Sequence, residues 1–427
     1  MTWTVATSLA LIVAGCTKED DTGTASYEFS ETAIERMMRH QFDGLVPPDS
    51  TNTVADDDDA ALLGQYLFFD TGLSVDGEQN CATCHQPEYG FADPTALSTA
   101  VGTTNRHTPS LINVALNRWF YWDGRCDTLW CQAAAPLEAP KEHGTNRLAV
   151  AHHINGNADL ADAYTAIFGP LPELEDTDRF PNNARPIVDD ESHPHHQAWE
   201  SMTDADQHAA TTVLVNVSKS IAAYERRLIQ LDSPFDRMLD AFESGDPTGG
   251  DSLSDAAKRG GTLFVGDGVC WACHAGPGFS NKEFHNIALP AAPGIDNEST
   301  GRYDGIYDLL TNPLNSMGEF SDDVSDADLK LTYLVQSPEE TGAYKTPGLR
   351  NLLDTAPYMH GGHFETLFEV VQHYNQMDDR PLIGHREELL LPLFWTDDQV
   401  SDVVEFLKSL QGAPIDPSLL SQPESPR

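Results

Sequence analysis

The stretch Cys81-Ala82-Thr83-Cys84-His85 decides how this chain is organised, and it has a counterpart in Cys270-Trp271-Ala272-Cys273-His274. Two thiols at this spacing can form thioether bonds to the vinyl groups of a haem, while the adjacent His coordinates the iron. A four-thiolate zinc site is the alternative, but it does not require a His directly after each cysteine pair. We therefore expect two covalently bound haem c groups, one on each motif.

The two motifs lie in halves that repeat each other. Thr108-Pro109-Ser110-Leu111-Ile112-Asn113 matches Thr346-Pro347-Gly348-Leu349-Arg350-Asn351, and nine residues after each Asn stand Trp122 and His360. Helix starts and apolar faces precede each haem motif, and strand patterns are scarce. The expected fold class is therefore mainly α, with two cytochrome c-like domains related by internal duplication.

This register makes the two irons unequal. Tyr374 lies fourteen residues after His360, whereas the equivalent position after Trp122 is Pro136, which has no side-chain group able to bind iron. If this position faces the distal side of each haem, a phenolate caps the second iron and the first is open to substrate. Two alternatives stay open: Met377, one helical turn further on, binds through its thioether, or Tyr374 only packs by its ring.

The N-terminal segment reads as an export signal. Its apolar run over residues 9–14 is too short to cross a bilayer as a mature helix, and no later segment has the apolar length for one. The run ends in Ile12-Val13-Ala14-Gly15-Cys16, a lipobox-like sequence in which Cys16 would be acylated; a plain signal peptide is the alternative, since basic residues are missing before the run. We expect a periplasmic protein, either soluble or anchored as a lipoprotein.

The rest of the chain divides by composition and periodicity. A long helix is predicted over 211–231, Ser254 and Thr396 are predicted helix N-caps, and 171–199 is rich in Pro, Asp, Asn and His without apolar periodicity. The predicted units are 1–16 signal, 17–55 tether and N-terminal extension, 56–210 first haem domain with a surface insertion at about 171–199, 211–250 linking helix, 251–412 second haem domain and 413–427 tail.

The net charge indicates which kinds of molecule the chain can bind. The chain has 25 Lys plus Arg against 67 Asp plus Glu, a net charge of −42, which repels nucleic acid and favours a basic redox partner.

Cys126 and Cys131 remain once the haems and Cys16 are assigned. Their spacing permits a small disulfide loop only if the backbone bends between them, so both the paired and the free state remain open.

Several spaced motifs together resemble the bacterial di-haem cytochrome c peroxidase and MauG family over about residues 64–412. They are the two haem motifs, Tyr121-Trp122-Asp123-Gly124-Arg125, Gln132, Pro140-Lys141-Glu142 and Pro357-Tyr358-Met359-His360-Gly361-Gly362. The resemblance implies that Glu142 is the distal acid/base at the first haem, Gln132 its companion and Trp122 the bridge between the haems. A solvated acid and a core aromatic are the plain alternatives for Glu142 and Trp122.

The chain departs from the family pattern in three places. The stretch 86–106 contains no His, which implies that the first haem is open already in the oxidised state. Tyr374 stands where the peroxidases of the family have Met and resembles the MauG arrangement instead. The resemblance also implies one calcium ion bound through the carbonyls of Thr355 and Pro357, but His107 replaces the Asn that completes that site.

The expected function is reduction of hydrogen peroxide to water at the His85 haem. Electrons would arrive through the His274 haem from a small donor protein, such as a mono-haem cytochrome or a cupredoxin. The first alternative is a MauG-like oxidase that acts on a protein or organic substrate through high-valent iron. A second alternative is a non-enzymatic electron-transfer cytochrome, which Pro136 and the pair of Gln132 and Glu142 disfavour.

Overall fold

The computed structural model describes residues 18–19, 25–292, 294–295, 299–323, 325, 330–377 and 380–427. Helices dominate these residues, which confirms the mainly α fold class. The helices are α1 Glu31–Met38, α2 Asp58–Phe68, α3 Cys81–Cys84, α4 Leu129–Glu138, α5 Arg147–Gly156, α6 Ala158–Phe168, α7 Pro194–Glu200, α8 Asp204–Glu225, α9 Pro234–Glu243, α10 Asp255–Val265, α11 Arg302–Thr311, α12 Leu367–Gln376 and α13 Asp397–Lys408. Antiparallel pairs form between β1 Lys18–Glu19 and β2 Ala25–Ser26, and between β3 Phe284–His285 and β4 Tyr344–Lys345.

Two apolar cores divide the described chain. In the first, α2 crosses α8 where Gly64 meets the Ser220 carbonyl, and in the second, α10 crosses α13 where Gly260 meets the Asp402 carbonyl. A Cβ at either glycine would collide with the backbone of the other helix. Glycine therefore permits the close helix crossing that each half uses to build its core.

The helix starts agree with the capping residues in the sequence. The side chains of Asp57, Ser254 and Thr396 accept hydrogen bonds from the third backbone amides after them, at the starts of α2, α10 and α13. The predicted caps at Ser254 and Thr396 are confirmed. Thr128 and Thr366 cap α4 and α12 in the same way.

The long helix predicted over 211–231 begins and ends earlier in the structure. It is α8, which begins at Asp204 because Thr203 caps it, and it ends at Glu225. Beyond it Arg226 turns to bind the carboxylate of Asp56 at 2.7 Å. Helix α8 packs on α2, α4 and α5, so it belongs to the first core, and Lys219 on this helix also pairs with Asp322 at 2.7 Å.

The segment 171–199 is only partly a surface insertion. It lacks regular structure up to α7, as its composition predicts, but the side chains of Leu174, Phe180 and Ala184 are buried in the first core. These spaced apolar residues fall outside helical or strand periodicity, so a pattern search passes over them. The division of the chain into domains stays a prediction.

The two halves meet around a local pseudo-twofold arrangement. Asn113 and Asn351, equivalent in the repeat, both have left-handed backbones, with φ of 59° and 62°. Each donates its side-chain amide to the same acceptor, the Gln230 carbonyl, at 3.0 and 2.8 Å. Isolated bridges Phe120–Cys126 and Tyr358–Phe364 also match in register. These pairs support the duplication that the sequence predicts.

The chain ends cross over to the opposite halves. Phe29, Ala33 and Met37, on and just before α1, are buried in the second core, although they belong to the predicted N-terminal extension. Ile415 is buried in the first core, and the Tyr224 hydroxyl donates to the Leu419 carbonyl. The predicted signal at 1–16, with Cys16, lies outside the described residues. None of the described helices is both long and apolar enough to span a membrane.

Candidate active site

One large cavity runs between the two halves. Its volume is ≈ 990 Å³, and both Cys-x-x-Cys-His motifs stand on its wall. The other predicted site residues reach the same cavity, namely Trp122, Gln132, Pro136, Glu142, Thr355, Pro357 and Tyr374. The fold therefore brings together residues that are almost 300 positions apart in the chain, as the haem interpretation requires.

The first motif presents a His suited to iron. The Nδ1 of His85 donates to the Phe91 carbonyl at 3.0 Å, which leaves Nε2 free to bind a metal. Burial lowers the pKa of His85 to about 4, so its ring is neutral at physiological pH. Phe91 adopts a left-handed conformation with φ of 55°, and this turns its carbonyl toward the ring.

The second motif repeats this arrangement. The Nδ1 of His274 donates to the Phe279 carbonyl at 2.9 Å, Phe279 has φ of 54°, and burial lowers the pKa of His274 to about 4. The four motif cysteines are unpaired. Four free thiols and two imidazoles with unused Nε2 atoms on one roomy cavity are the donor set that two haem c groups need, so the residues present fit this cofactor.

Equivalent helices carry different residues toward the cavity. Helices α4 and α12 each have ten residues, and their eighth residues are Pro136 and Tyr374, both on the cavity wall. Burial raises the pKa of Tyr374 above its ordinary value, so a phenolate at this place requires a bound cation. Met377 lies past the end of α12 and lines a separate small cavity with Arg380 and Arg386. This geometry favours Tyr374 over Met377 as the iron ligand.

Polar side chains surround the cavity beside Pro136. The Oε1 atom of Gln132 is buried without a hydrogen-bond partner among the described residues. Burial raises the pKa of Glu142, and the nearby Arg125 guanidinium partly opposes that rise. Arg125 itself lies 3.5 Å above the centre of the Tyr121 ring. The cluster offers one proton-exchanging carboxyl and one unsatisfied amide oxygen to a small polar molecule.

Trp122 stands where the halves touch. Its indole Nε1 donates to the His107 carbonyl at 2.8 Å, and its own carbonyl accepts from the Lys345 amide at 2.8 Å. The ring meets that of His360 edge-on, with centroids 6.2 Å apart. These contacts fix the indole on the wall of the cavity that both motifs share; the bridging role stays a prediction.

The residues implied for calcium do not fit a calcium ion. His107 is buried, and its Nδ1 lies 3.0 Å from the Thr95 carbonyl. Burial lowers the pKa of His107, while backbone carbonyls that include Thr355 act to raise it. An imidazole therefore faces the Thr355 carbonyl where an oxygen ligand is required. No cluster of three or more acidic, His or Cys residues suited to a metal occurs among the described residues.

The open question of Cys126 and Cys131 resolves as a disulfide. The two Cα atoms are 5.8 Å apart, and the bond closes a short loop at the start of α4. The loop includes the N-cap Thr128, which receives the amide of Cys131. The disulfide therefore fixes the entry of the helix that carries Gln132 and Pro136.

Sequence reasoning missed Glu225, the last residue of α8. It is 3% exposed, lines the cavity near Cys81, and its Oε2 has no partner among the described residues. Burial raises the pKa of Glu225 to about 8. Matching the two helix crossings pairs Ser220 with Asp402 and hence Glu225 with Leu407, which also lines the cavity. This register depends on helix crossings that appear only in the folded chain, so the sequence carried no signal for Glu225.

Known proteins resemble the chain in sequence and fold. Residues 58–244 match the family model described as di-haem cytochrome c peroxidase. The chain is 28% identical over 369 residues to cytochrome-c peroxidase IdrP1 of Denitromonas iodatirespirans, covering 86% of this chain and 84% of that protein. It is 29% identical over 369 residues to methylamine utilization protein MauG of Methylorubrum extorquens, covering 85% and 80%. The fold matches the diheme peroxidase BthA from Burkholderia thailandensis with a TM-score of 0.61 at 20% identity, covering 94% and 93% of the chains.

Proposed function

We propose that the chain is an oxidoreductase of the di-haem cytochrome c peroxidase family with two covalently bound haem c groups, as its similarity over residues 58–244 and to the two relatives supports, and that it reduces hydrogen peroxide to water. A small redox protein supplies the electrons. Cys81, Cys84 and His85 would hold the haem at which peroxide is reduced. Cys270, Cys273 and His274 would hold the haem that takes up and stores electrons.

One observation carries this proposal: equivalent helix positions are open in one half and blocked in the other. Pro136 offers no ligand to the iron on His85, whereas Tyr374 stands on the cavity wall of the half that contains His274. An iron with a free position can bind a small substrate, and a six-coordinate iron is suited to electron transfer. An electron-transfer cytochrome with both irons six-coordinate would need a ligand at this position, which Pro136 cannot provide.

Glu142 performs the proton chemistry. Reduction of one peroxide consumes two electrons and two protons and yields two waters. When bound, the first haem supplies the electrons that break the O–O bond. Glu142 takes a proton from one peroxide oxygen and returns it to the other, which leaves as water. The raised pKa of Glu142 brings it closer to physiological pH and suits both directions of this transfer. Gln132 orients the substrate through its free Oε1.

Trp122 carries electrons between the halves. Its indole is held by the His107 carbonyl and its backbone by the Lys345 amide, so the ring has one fixed orientation. A fixed aromatic group between two redox centres needs no rearrangement when an electron passes. The donor docks on the second half; the net charge of −42 favours a donor with a basic surface.

Tyr374 supports a second candidate function. Phenolate ligation lowers the potential of a haem relative to thioether ligation, and this favours oxidising chemistry on an organic or protein substrate. MauG-like oxidation is therefore the alternative to peroxide disposal. Both functions use Glu142 and the open first iron. They differ in the electron donor, which is a small redox protein in one case and an organic or protein substrate in the other.

The proposed location is the periplasm. The Cys126–Cys131 disulfide supports an oxidising compartment, as does the covalent attachment of haem c. The N-terminal export signal with Cys16 as a lipid anchor belongs to the same proposal. Labelling of cells with a radioactive fatty acid, compared between the wild type and Cys16→Ser, tests the anchor.

Two measurements on the purified haem-loaded protein test the proposed function. Electron paramagnetic resonance of the oxidised protein is expected to give one high-spin and one low-spin haem; two low-spin signals would reject the open first iron. Steady-state turnover is then compared between peroxide with a reduced mono-haem cytochrome and peroxide with candidate organic substrates. Fast oxidation of the cytochrome supports peroxide reduction, and turnover with an organic substrate alone supports the MauG-like alternative.

A further inference from the structure

Lys345 is a cation on the cavity wall that no anionic side chain of the described residues meets. It lies on β4, and its ammonium makes no hydrogen bond or ion pair with any side chain of the described residues. Burial lowers the pKa of Lys345 to about 8, and no nearby charge within the described residues offsets this effect. Lys345 is half-buried on the cavity wall, and an ammonium turned away from bulk water without a partner is costly, so its position indicates that a bound anion completes the site.

The backbone ties Lys345 to the second half. Two residues later, the Pro347 carbonyl acts on the His274 ring and raises the pKa of that His against the larger effect of burial. The Lys345 amide donates to the Trp122 carbonyl at 2.8 Å. Lys345 therefore lies between the bridging tryptophan and the segment beside the second motif.

A second lysine lies on the same ribbon. Lys345 pairs with Phe284 across β3 and β4, and Lys282 lies in the turn two residues before Phe284, with a left-handed backbone at φ of 64°. Lys282 also lines the cavity, and burial lowers its pKa, with a smaller contribution from the Arg118 guanidinium. In a chain with 67 acidic and 25 basic residues, two cavity lysines without carboxylate partners are unexpected.

The repeat supplies an internal comparison for Lys345. Its equivalent in the first half is His107, whose amide donates to the His360 carbonyl at 2.9 Å just as the Lys345 amide donates to that of Trp122. The His107 ring is satisfied by the Thr95 carbonyl, and burial lowers its pKa. The first half thus has a satisfied neutral ring where the second half has an unsatisfied cation.

We propose that Lys345, with Lys282 beside it, binds a propionate carboxylate of the haem on Cys270 and Cys273 and raises the reduction potential of that haem. A haem has two propionates, and they supply the anion that the ammonium lacks. A fixed positive charge disfavours the ferric state more than the ferrous state, so it makes the second haem easier to reduce. This inference requires the two haems but is independent of whether peroxide is the substrate.

Spectroelectrochemical titration of the haem-loaded protein tests it. Lys345→Met is expected to lower the potential of the low-spin haem by a tenfold change in its one-electron equilibrium constant, about 59 mV. Lys345→Arg should retain most of the wild-type potential. Lys408→Met removes a charge from an exposed pair with Glu405 and should leave both potentials unchanged. A shift no larger than that of Lys408→Met, or a larger shift at the high-spin haem, would overturn the assignment.

A second measurement needs no variant. In the resonance Raman spectrum of the wild type, the propionate bending band of the low-spin haem should move on exchange into D2O, because an ammonium N–H is its partner. If Lys345→Met fails to load haem, Lys345→Gln keeps a donor but removes the charge. A propionate band that ignores D2O rejects the inference even if no variant can be prepared.

Discussion

Helices α4 and α12 form the most direct comparison within the molecule. They have the same length, the same kind of Thr cap and the same place in the repeat, yet one brings Pro136 to the cavity and the other Tyr374. Other pairs of matched cavity positions also differ in polarity or charge, namely Gln132 and Val370, Glu225 and Leu407, and His107 and Lys345. The backbone of the two halves is duplicated, and a few wall side chains separate their chemistry.

The largest expected effect comes from removing the proton carrier of the first half. Glu142→Gln should reduce peroxide turnover by about 100-fold or more, because general acid–base catalysis contributes about 10² to 10⁴ in rate. The haem spectra should not change. Turnover is measured with a reduced mono-haem cytochrome, and Glu78→Gln, an exposed acid in the same half, is the matched control. Retained turnover would return Glu142 to an ordinary solvated acid.

Exchanging the matched position should erase the difference between the irons. In Pro136→Tyr a phenol oxygen can occupy the open iron position of the first haem. The high-spin signal should then become low-spin, and peroxide turnover should fall by at least about tenfold. Pro136→Ala, which leaves the position open, serves as the control and should stay high-spin. If the tyrosine variant also stays high-spin with full turnover, the position does not face the iron.

The reverse change weakens the second half. Tyr374→Phe keeps the ring and removes the ligand oxygen, so the low-spin electron paramagnetic resonance signal should shift or become high-spin. The effect on peroxide turnover should be smaller than that of Glu142→Gln, because the first iron keeps its surroundings. Met377→Leu should leave the spectrum unchanged. The opposite pattern, with Met377→Leu altering the signal, assigns the ligand to Met377.

The change expected to affect peroxide turnover least is at Glu225, where the effect is on stability. Its folded pKa is raised to about 8 from an ordinary value of 4.5, so the unfolded chain releases this proton first as pH rises. Stability is therefore full below about pH 4.5 and falls toward pH 8, by at most about 5 kcal/mol at 1.36 kcal/mol per pKa unit.

Glu225→Leu copies the residue of the second half and should remove this loss. Thermal unfolding should show the variant gaining stability over the wild type at pH 8 and the gain shrinking at pH 5. The measurement is the change in melting temperature of the haem-loaded proteins in matched buffers. A gain that is equal at both pH values would mean that Glu225 does not titrate between them.

Local chemistry explains why much of the fold was predictable. The haem motifs, the caps at Ser254 and Thr396, and the repeat register depend on short spacings, and each is visible in the sequence. The register also led to the position of Tyr374. It did not decide between Tyr374 and Met377, because that choice depends on where α12 ends and which side chain turns into the cavity.

Long-range packing explains what could not be predicted. The sequence does not reveal that Glu225 and Lys345 lack partners, since a missing partner is a property of all surrounding elements. The bounds of α8 were wrong because its apolar pattern continues past Glu225, while the turn depends on Arg226 binding Asp56 across the chain. The burial of Phe180 within an aperiodic segment belongs to the same class.

The crossing of the chain ends has a mechanical consequence. Met37 is held in the core of the second half and Ile415 in that of the first, so each half is strapped by a segment whose continuation lies in the other. The two halves cannot separate unless the segment around Met37 leaves the second core and the segment around Ile415 leaves the first. Heating should therefore give one cooperative transition in which both haem spectra change together. Removal of the last residues, which include Ile415, should loosen the haem on Cys81 and Cys84, because Ile415 packs in the core of the first half.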